Sequence, residues 1–231
     1  MELRERHRNI LQIILLTFCV EFNFSAVDAL AITTDNDLNV SGSSITGWNL
    51  FGYAETQSKN IQKFIKWREV VKRNSYQMDS DISSCVRNEL ACKLVEWRIY
   101  LSGIQSLSHL DKIYAINNYV NSFPYIRDEK SSEVRDSWAT PLEFFSRGGD
   151  CEEFAIAKYF SLIFVGFQKE SLRIVVVKDV LLNVYHAVLA VKINNRIIIM
   201  DNQIKNPTNH IVIKHYMPLY SINEDAWWHH K

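Results

Sequence analysis

From Leu172 onward the chain alternates short apolar, β-branched blocks with polar breaks. "LRIVVVKDV", "VYHAVLAVKI" and "RIIIMDNQ" predict strands, and "HIVIKHY" predicts a further one. Asn194-Asn195 lies between the second and third blocks and tolerates positive φ, which predicts a two-residue hairpin turn. Upstream the period is helical. Ile61, Phe64, Trp67 and Val71 recur at helix spacing, as do Val86, Leu90, Leu94, Trp97 and Leu101. Ser108 and Asp111 resemble a capping box, and Leu110, Ile113, Ile116 and Val120 form the apolar face that follows. Residues 121–150 read as a long polar connection, with Pro124 and Pro141 as helix breakers and Gly148-Gly149 freeing the backbone. "CEEFAIAKYFSLIFVGF" is then apolar nearly all round, the mark of a central buried helix. Residues 32–57 show no sustained period and read as irregular. Helices, a buried helix and then an antiparallel sheet make the fold class α+β.

The first residues follow another logic. "MELRERHRN" carries Arg4, Arg6 and Arg8, and the apolar run Ile10–Val20 ends before a small-x-small "ALA" at 29–31. That order predicts a secretory signal over residues 1–31, with an uncleaved inner-membrane tether as the other reading. The run is short for a span, which needs about 20 residues. Residues 32–231 then form a single domain, with a helical lobe over about 32–123 and the buried helix plus sheet over about 138–231. Export implies an oxidising compartment. Of the 4 cysteines, cleavage leaves Cys85, Cys92 and Cys151. Within one helix Cys85 and Cys92 would stand about 10 Å apart along the axis, too far for a bridge. A helix capped by Asn88 leaves the bridge open. Lys+Arg and Asp+Glu both total 26 in 231 residues, so no basic excess points to nucleic acid.

The strand pattern has a chemical consequence. A two-residue turn at Asn194-Asn195 sets Ile193 opposite Arg196 and Asp201 opposite Val188. His186 is two residues from Val188 and therefore shares a sheet face with Asp201. Cys151 opens the buried helix, where unpaired N–H groups lower a thiol pKa. Cys151 as nucleophile, His186 as base and Asp201 as orienter is the logic of a cysteine hydrolase or acyltransferase. Asp150, Glu152 and Glu153 crowd that thiol. They can simply complement the helix N-terminus, or, with loop carbonyls, hold Ca²⁺, which prefers hard oxygen ligands.

These stretches resemble a known family. "DSWATPLEFFSRGGDCEEFAIAKY", "YHAVLAV" and "IIIMDNQ", supported by "LFGYAET", "FIKW" and "YMPLYSINE", are similar to the bacterial transglutaminase-like cysteine peptidases of the LapG type. The resemblance covers nearly all of the chain after residue 31. It implies a papain-like, transglutaminase-like fold with a Cys151-His186-Asp201 triad. It also implies calcium dependence through Asp150, Glu152 and Glu153, with Glu153 standing where the family often has Asp. Trp138 matches a family tryptophan near the site. By the same resemblance the protein is a periplasmic endopeptidase. Its substrate is the N-terminal region of a large cell-surface adhesin, cut at a small-residue, di-alanine-type sequence to release it and control biofilm attachment. An inner-membrane receptor for cyclic di-GMP is the sequestering partner. A transglutaminase-type acyltransferase and a catalytically silent binding module are the alternatives on the same fold.

Overall fold

The computed structural model describes residues 47–78, 89–127 and 138–231. Among them lie five α-helices: α1 (Ile65–Met78), α2 (Glu89–Gly103), α3 (His109–Asn121), α4 (Pro141–Arg147) and α5 (Cys151–Phe164). The strands are β1 (Glu55–Ser58), β2 (Leu172–Asp179), β3 (Val184–Ile193), β4 (Arg196–Met200), β5 (Thr208–Asn209), β6 (Tyr216–Ile222) and β7 (Trp227–His230). They form one antiparallel sheet in the order β1-β7-β6-β2-β3-β4-β5. The fold is the α+β arrangement that the sequence pattern implies.

β2, β3 and β4 read as unbroken apolar runs because both sheet faces are covered. On one face Leu172, Ile174, Leu189, Val191 and Met200 meet α5 and the other helices. On the other, Val175, Val177, Val188, Ala190, Ile197 and Ile199 pack under Trp48, Leu50, Ile213 and Tyr216. Each Val, Leu, Ile or Met among them contributes about 1.5–3 kcal/mol when fully buried. Residues 153–162 of α5 are all buried, since sheet, α3 and α4 surround it. The Asn194-Asn195 turn is the two-residue hairpin expected: Asn194 has φ 51°, Ile193 pairs with Arg196, and Leu189 with Met200.

α3 begins at its expected cap, with the Ser108 hydroxyl accepting the Asp111 N–H at 3.2 Å. Ile61 and Phe64 precede α1, which starts at Ile65, yet both pack on the same core. The connection before Cys151 is less irregular than its polarity suggests, because it contains α4. Pro141 starts this helix instead of breaking one. A proline at the first position loses no intrahelical bond, and Thr140 with Glu143 forms a reciprocal capping box.

"HIVIKHY" is not one strand. Asn209 accepts the Ile211 N–H at 3.1 Å and closes a 3₁₀ turn over His210–Val212, and β6 starts only at Tyr216. β1 is polar and unannounced by any period. It exists through its ladder to β7, in which Glu55 pairs with His230. A buried ion pair secures it. Arg173 on β2 reaches Glu55 at 2.7 Å, its guanidinium lying between the rings of Trp48 and Trp228 at 4.1 and 3.5 Å.

Cys92 is disulfide-bonded. Cys85, Val86 and the expected signal at 1–31 lie outside the described residues. No helix among the described residues is long and apolar enough to cross a membrane.

Candidate active site

The segment "GGDCEE" turns the chain into α5 by local rules. Asp150 caps the helix: its Oδ1 accepts the Glu152 N–H at 3.3 Å, and Glu153 Oε2 accepts the Asp150 N–H at 3.0 Å. Both glycines before it are required. Gly148 has φ +83°, and a Cβ there would stand 2.3 Å from the Pro124 carbonyl oxygen. A Cβ on Gly149 would stand 2.6 Å from the Glu153 Cβ. These close approaches place Cys151 at the first helical position. Among the described residues Cys151 is the free cysteine.

β3 and the loop after β4 supply the next two residues. His186 Nε2 lies 2.8 Å from Asp201 Oδ1, and both side chains are buried. The shared face inferred from the hairpin register is therefore real. Asp201 has further partners. Its Oδ1 also accepts the Gln203 N–H at 2.9 Å, and its Oδ2 accepts the Tyr216 hydroxyl at 2.7 Å. Burial works against its charge, but these hydrogen bonds, led by His186, hold its carboxyl below the usual range. Behind it, Asn121 on α3 donates to the Asp201 carbonyl at 2.8 Å, and Asn117 donates to the Lys205 carbonyl at 3.1 Å. Gln203 Nε2 sits 3.5 Å from His186 Nδ1.

The thiol meets this pair through the backbone. The Ala187 N–H, one residue past His186, lies beside the Cys151 sulfur. The thiol itself donates to Glu152 Oε2 at 3.0 Å, and no hydrogen bond joins it to His186. Its electrostatics differ from the sequence expectation. Burial, then the Glu152 carboxylate, push the thiol pKa up, and the Ala187 N–H only partly opposes them. A helix N-terminus stabilises a thiolate by a fraction of a charge, and a neighbouring full carboxylate outweighs it.

The acids divide. Donor atoms of Asp150, Cys151 and Glu152 lie within 4.8 Å of one another. Burial, then Asp150, push the Glu152 carboxyl up. Glu153 is turned away, its two oxygens accepting the Ala139 and Asp150 N–H groups at 3.1 and 3.0 Å. Asp150 and Glu152 fit a hard cation, being two half-buried carboxylates that repel each other. Glu153 serves as the cap. Trp138 packs against the core, and its carbonyl accepts from Arg73.

Tyr216, Gln203 and Asn121 were not singled out from sequence. A signal existed for the last: Asn117 and Asn121 interrupt the apolar stripe of α3 one turn apart. Tyr216 carried none, since its place opposite Asp201 depends on β6 crossing beside β2.

Residues 80–226 match the family of bacterial transglutaminase-like cysteine proteinases (BTLCP). The chain belongs to this family. Its fold also matches that of calcium-bound LapG from Legionella pneumophila, at 26% identity over 69% of this chain and 87% of that one, with a TM-score of 0.56. The EGTA-treated form of the same protein matches at 26% identity, 70% and 86% coverage and a TM-score of 0.56. No curated protein matches the chain. Membership makes the protein a transglutaminase-like cysteine protease.

Proposed function

We propose that the protein is a calcium-dependent cysteine endopeptidase in which Cys151 is the nucleophile, His186 the base and Asp201 the group that orients it. The observation that carries this reading is the buried His186–Asp201 pair at 2.8 Å, on the strand whose next residue, Ala187, has its N–H near the thiol. Asp201 is ionised and accepts the Nε2–H, so Nδ1 is the unprotonated nitrogen and can take a proton. The Cys151 proton passes to Nδ1 as the sulfur attacks the scissile carbonyl. The imidazolium then protonates the leaving amine, and water hydrolyses the acyl-enzyme. The Cys151 N–H, at the first turn of α5 and without an intrahelical partner, faces the developing oxyanion. Before attack, the thiol must turn from Glu152 to the imidazole.

Asp150 and Glu152 are the residues that would hold calcium, together with backbone oxygens or water to reach about 6–8 ligands. Bound there, a cation would offset the charge of the carboxylates that hold the thiol protonated. LapG is known in calcium-bound and EGTA-treated forms, which supports this reading. The resemblance of the three motif stretches supports the rest: export to the periplasm, cleavage of a large surface adhesin near its N-terminus, and restraint by an inner-membrane cyclic di-GMP receptor.

The test is cleavage of the N-terminal region of a large adhesin from the same genome. Cys151→Ala is expected to abolish the cut and keep the fold. Chelator should stop the wild-type protein, and calcium should restore it better than magnesium. Unchanged cleavage by Cys151→Ala refutes the nucleophile, and full activity in excess chelator removes calcium. Cross-linked instead of cut products would favour acyl transfer to amines.

A further inference from the structure

The connection between β2 and β3, with the first two residues of β3, carries five large apolar residues in exposed positions. Leu181 is 76% exposed, Leu182 63% and Tyr185 70%, and Val180 and Val184 are exposed with them. Such a cluster is costly to leave in water and is uncommon without a partner. It is also held in shape. Asp179, itself buried, accepts the Leu181 and Leu182 N–H groups on one oxygen at 2.9 and 3.0 Å. The Val180 N–H donates to the His215 carbonyl at 2.9 Å. Lys178 Nζ donates to the Asn183 carbonyl at 2.7 Å and lies 4.8 Å from the centre of the Tyr185 ring. The backbone is thus fixed while the apolar side chains point outward, so a ligand would meet a surface already ordered.

The position of this hairpin relative to the thiol names its occupant. Side chains alternate along β3, so Tyr185 shares the face of Ala187, whose N–H touches the Cys151 sulfur. Two residues of strand separate them, about 7 Å. A second exposed apolar pair stands beside the loop that leads into Cys151. Tyr125 and Ile126 are tied to the loop before Cys151 by the Ile126 N–H to Gly149 carbonyl bond at 2.8 Å, and Tyr125 stacks on Phe154. Cys151 and His186 therefore each have an anchored, exposed apolar neighbour: Tyr125–Ile126, bonded to the loop two residues before Cys151, and Tyr185, next to His186 in the chain. A polypeptide with its carbonyl at Cys151 and its leaving nitrogen at His186 must pass along both.

We infer that the 180–185 hairpin and the Tyr125–Ile126 pair are substrate-binding walls, which receive apolar side chains of an extended polypeptide on either side of the scissile bond. The inference rests on the triad reading above and adds the character of the substrate. A lipid surface would need no second wall beside Cys151, whereas a polypeptide being cleaved must lie at that residue, which favours a polypeptide over a bilayer surface.

The test measures binding, so that it is independent of turnover. Two fluorescent twelve-residue peptides share a central Ala-Ala; one is flanked by Leu and Val, the other by Ser and Asn. Anisotropy with the Cys151→Ala protein is expected to show the apolar peptide binding about tenfold more tightly, the scale of partly burying two or three aliphatic side chains. Leu181→Ser/Leu182→Ser in that background should reduce the difference to about threefold or less, with an unchanged circular dichroism spectrum and melting temperature. Equal binding of the two peptides, no binding of either, or an undiminished preference in the double variant overturns the inference. So does sedimentation of the wild-type protein with phosphatidylcholine–phosphatidylglycerol vesicles that the double variant loses, since the hairpin would then be a membrane contact. None of these results bears on the Cys151→Ala cleavage assay, which tests the triad separately.

Discussion

Lys158 offers the sharpest physical test of the fold around the site. It lies in α5 two turns after Cys151, fully buried, and its Nζ has no hydrogen-bond partner. Burial lowers its pKa from 10.5 to about 7, and only the distant pull of Asp201 opposes the shift. That drop of about 3.5, at about 1.4 kcal/mol per pH unit, corresponds to about 5 kcal/mol as an upper bound. The sign follows from proton uptake. Between pH 10.5 and about 7 the unfolded chain binds a proton at this lysine that the folded chain refuses. Stability therefore falls as pH drops through that window, and no further below it. Lys158→Met keeps a long unbranched side chain and removes the ammonium. We expect it to stabilise the protein at pH 7 by about 1–4 kcal/mol, the range seen when buried ionic groups give way to apolar ones. It should also flatten the dependence of stability on pH between 7 and 10. Urea unfolding of both proteins at pH 7.0 and 9.5, with the disulfide intact, gives midpoints and slopes. A variant less stable than wild type at pH 7, or one with the same pH dependence, would show that Lys158 has a charge-satisfying environment and refute the reasoning.

Three further expectations follow from particular contacts. Tyr216→Phe removes one hydrogen bond to the Asp201 carboxylate, worth about 1.5–3 kcal/mol for a charged acceptor. It should raise the Asp201 pKa, move the acid limb of the kcat/KM profile to higher pH and lower activity about tenfold; an unmoved limb would remove Tyr216 from the site. Glu55→Ala strands the Arg173 guanidinium in a buried position and should cost about 3–5 kcal/mol in urea unfolding, whereas a loss below about 1 kcal/mol would mean that the two tryptophans alone hold the arginine. Gly148→Ala forces a Cβ to within 2.3 Å of the Pro124 carbonyl at positive φ, so it should displace the Cys151 loop and slow iodoacetamide alkylation relative to wild type. An unchanged alkylation rate and melting temperature would show that the loop has room the distances deny it.

Local rules were legible in the sequence wherever a residue's neighbours in the chain settle its conformation. The Ser108 cap and the Asn194-Asn195 turn are of this kind, and the turn alone was enough to place His186 and Asp201 on one face. Cys151, His186 and Asp201 could be named because the start of an all-round apolar helix and a hairpin register are short-range signals with few solutions. The edge strand β1 was another matter. β1 is four polar-leaning residues that become a strand only when the far end of the chain, Trp227–His230, lies beside them. α4 was hidden because Pro141 reads as a breaker until Thr140 and Glu143 are seen to cap it. The electrostatics belonged wholly to tertiary structure. The sequence places three acids around the cysteine without dividing the work among them. In the structure one is spent on backbone N–H groups, one accepts the thiol, and burial decides the direction of the cysteine's pKa. Covalent neighbours fix where a side chain begins, but solvent exclusion and the charges arriving from distant strands fix what it does. Those are properties of the packed molecule, absent from any segment of the chain.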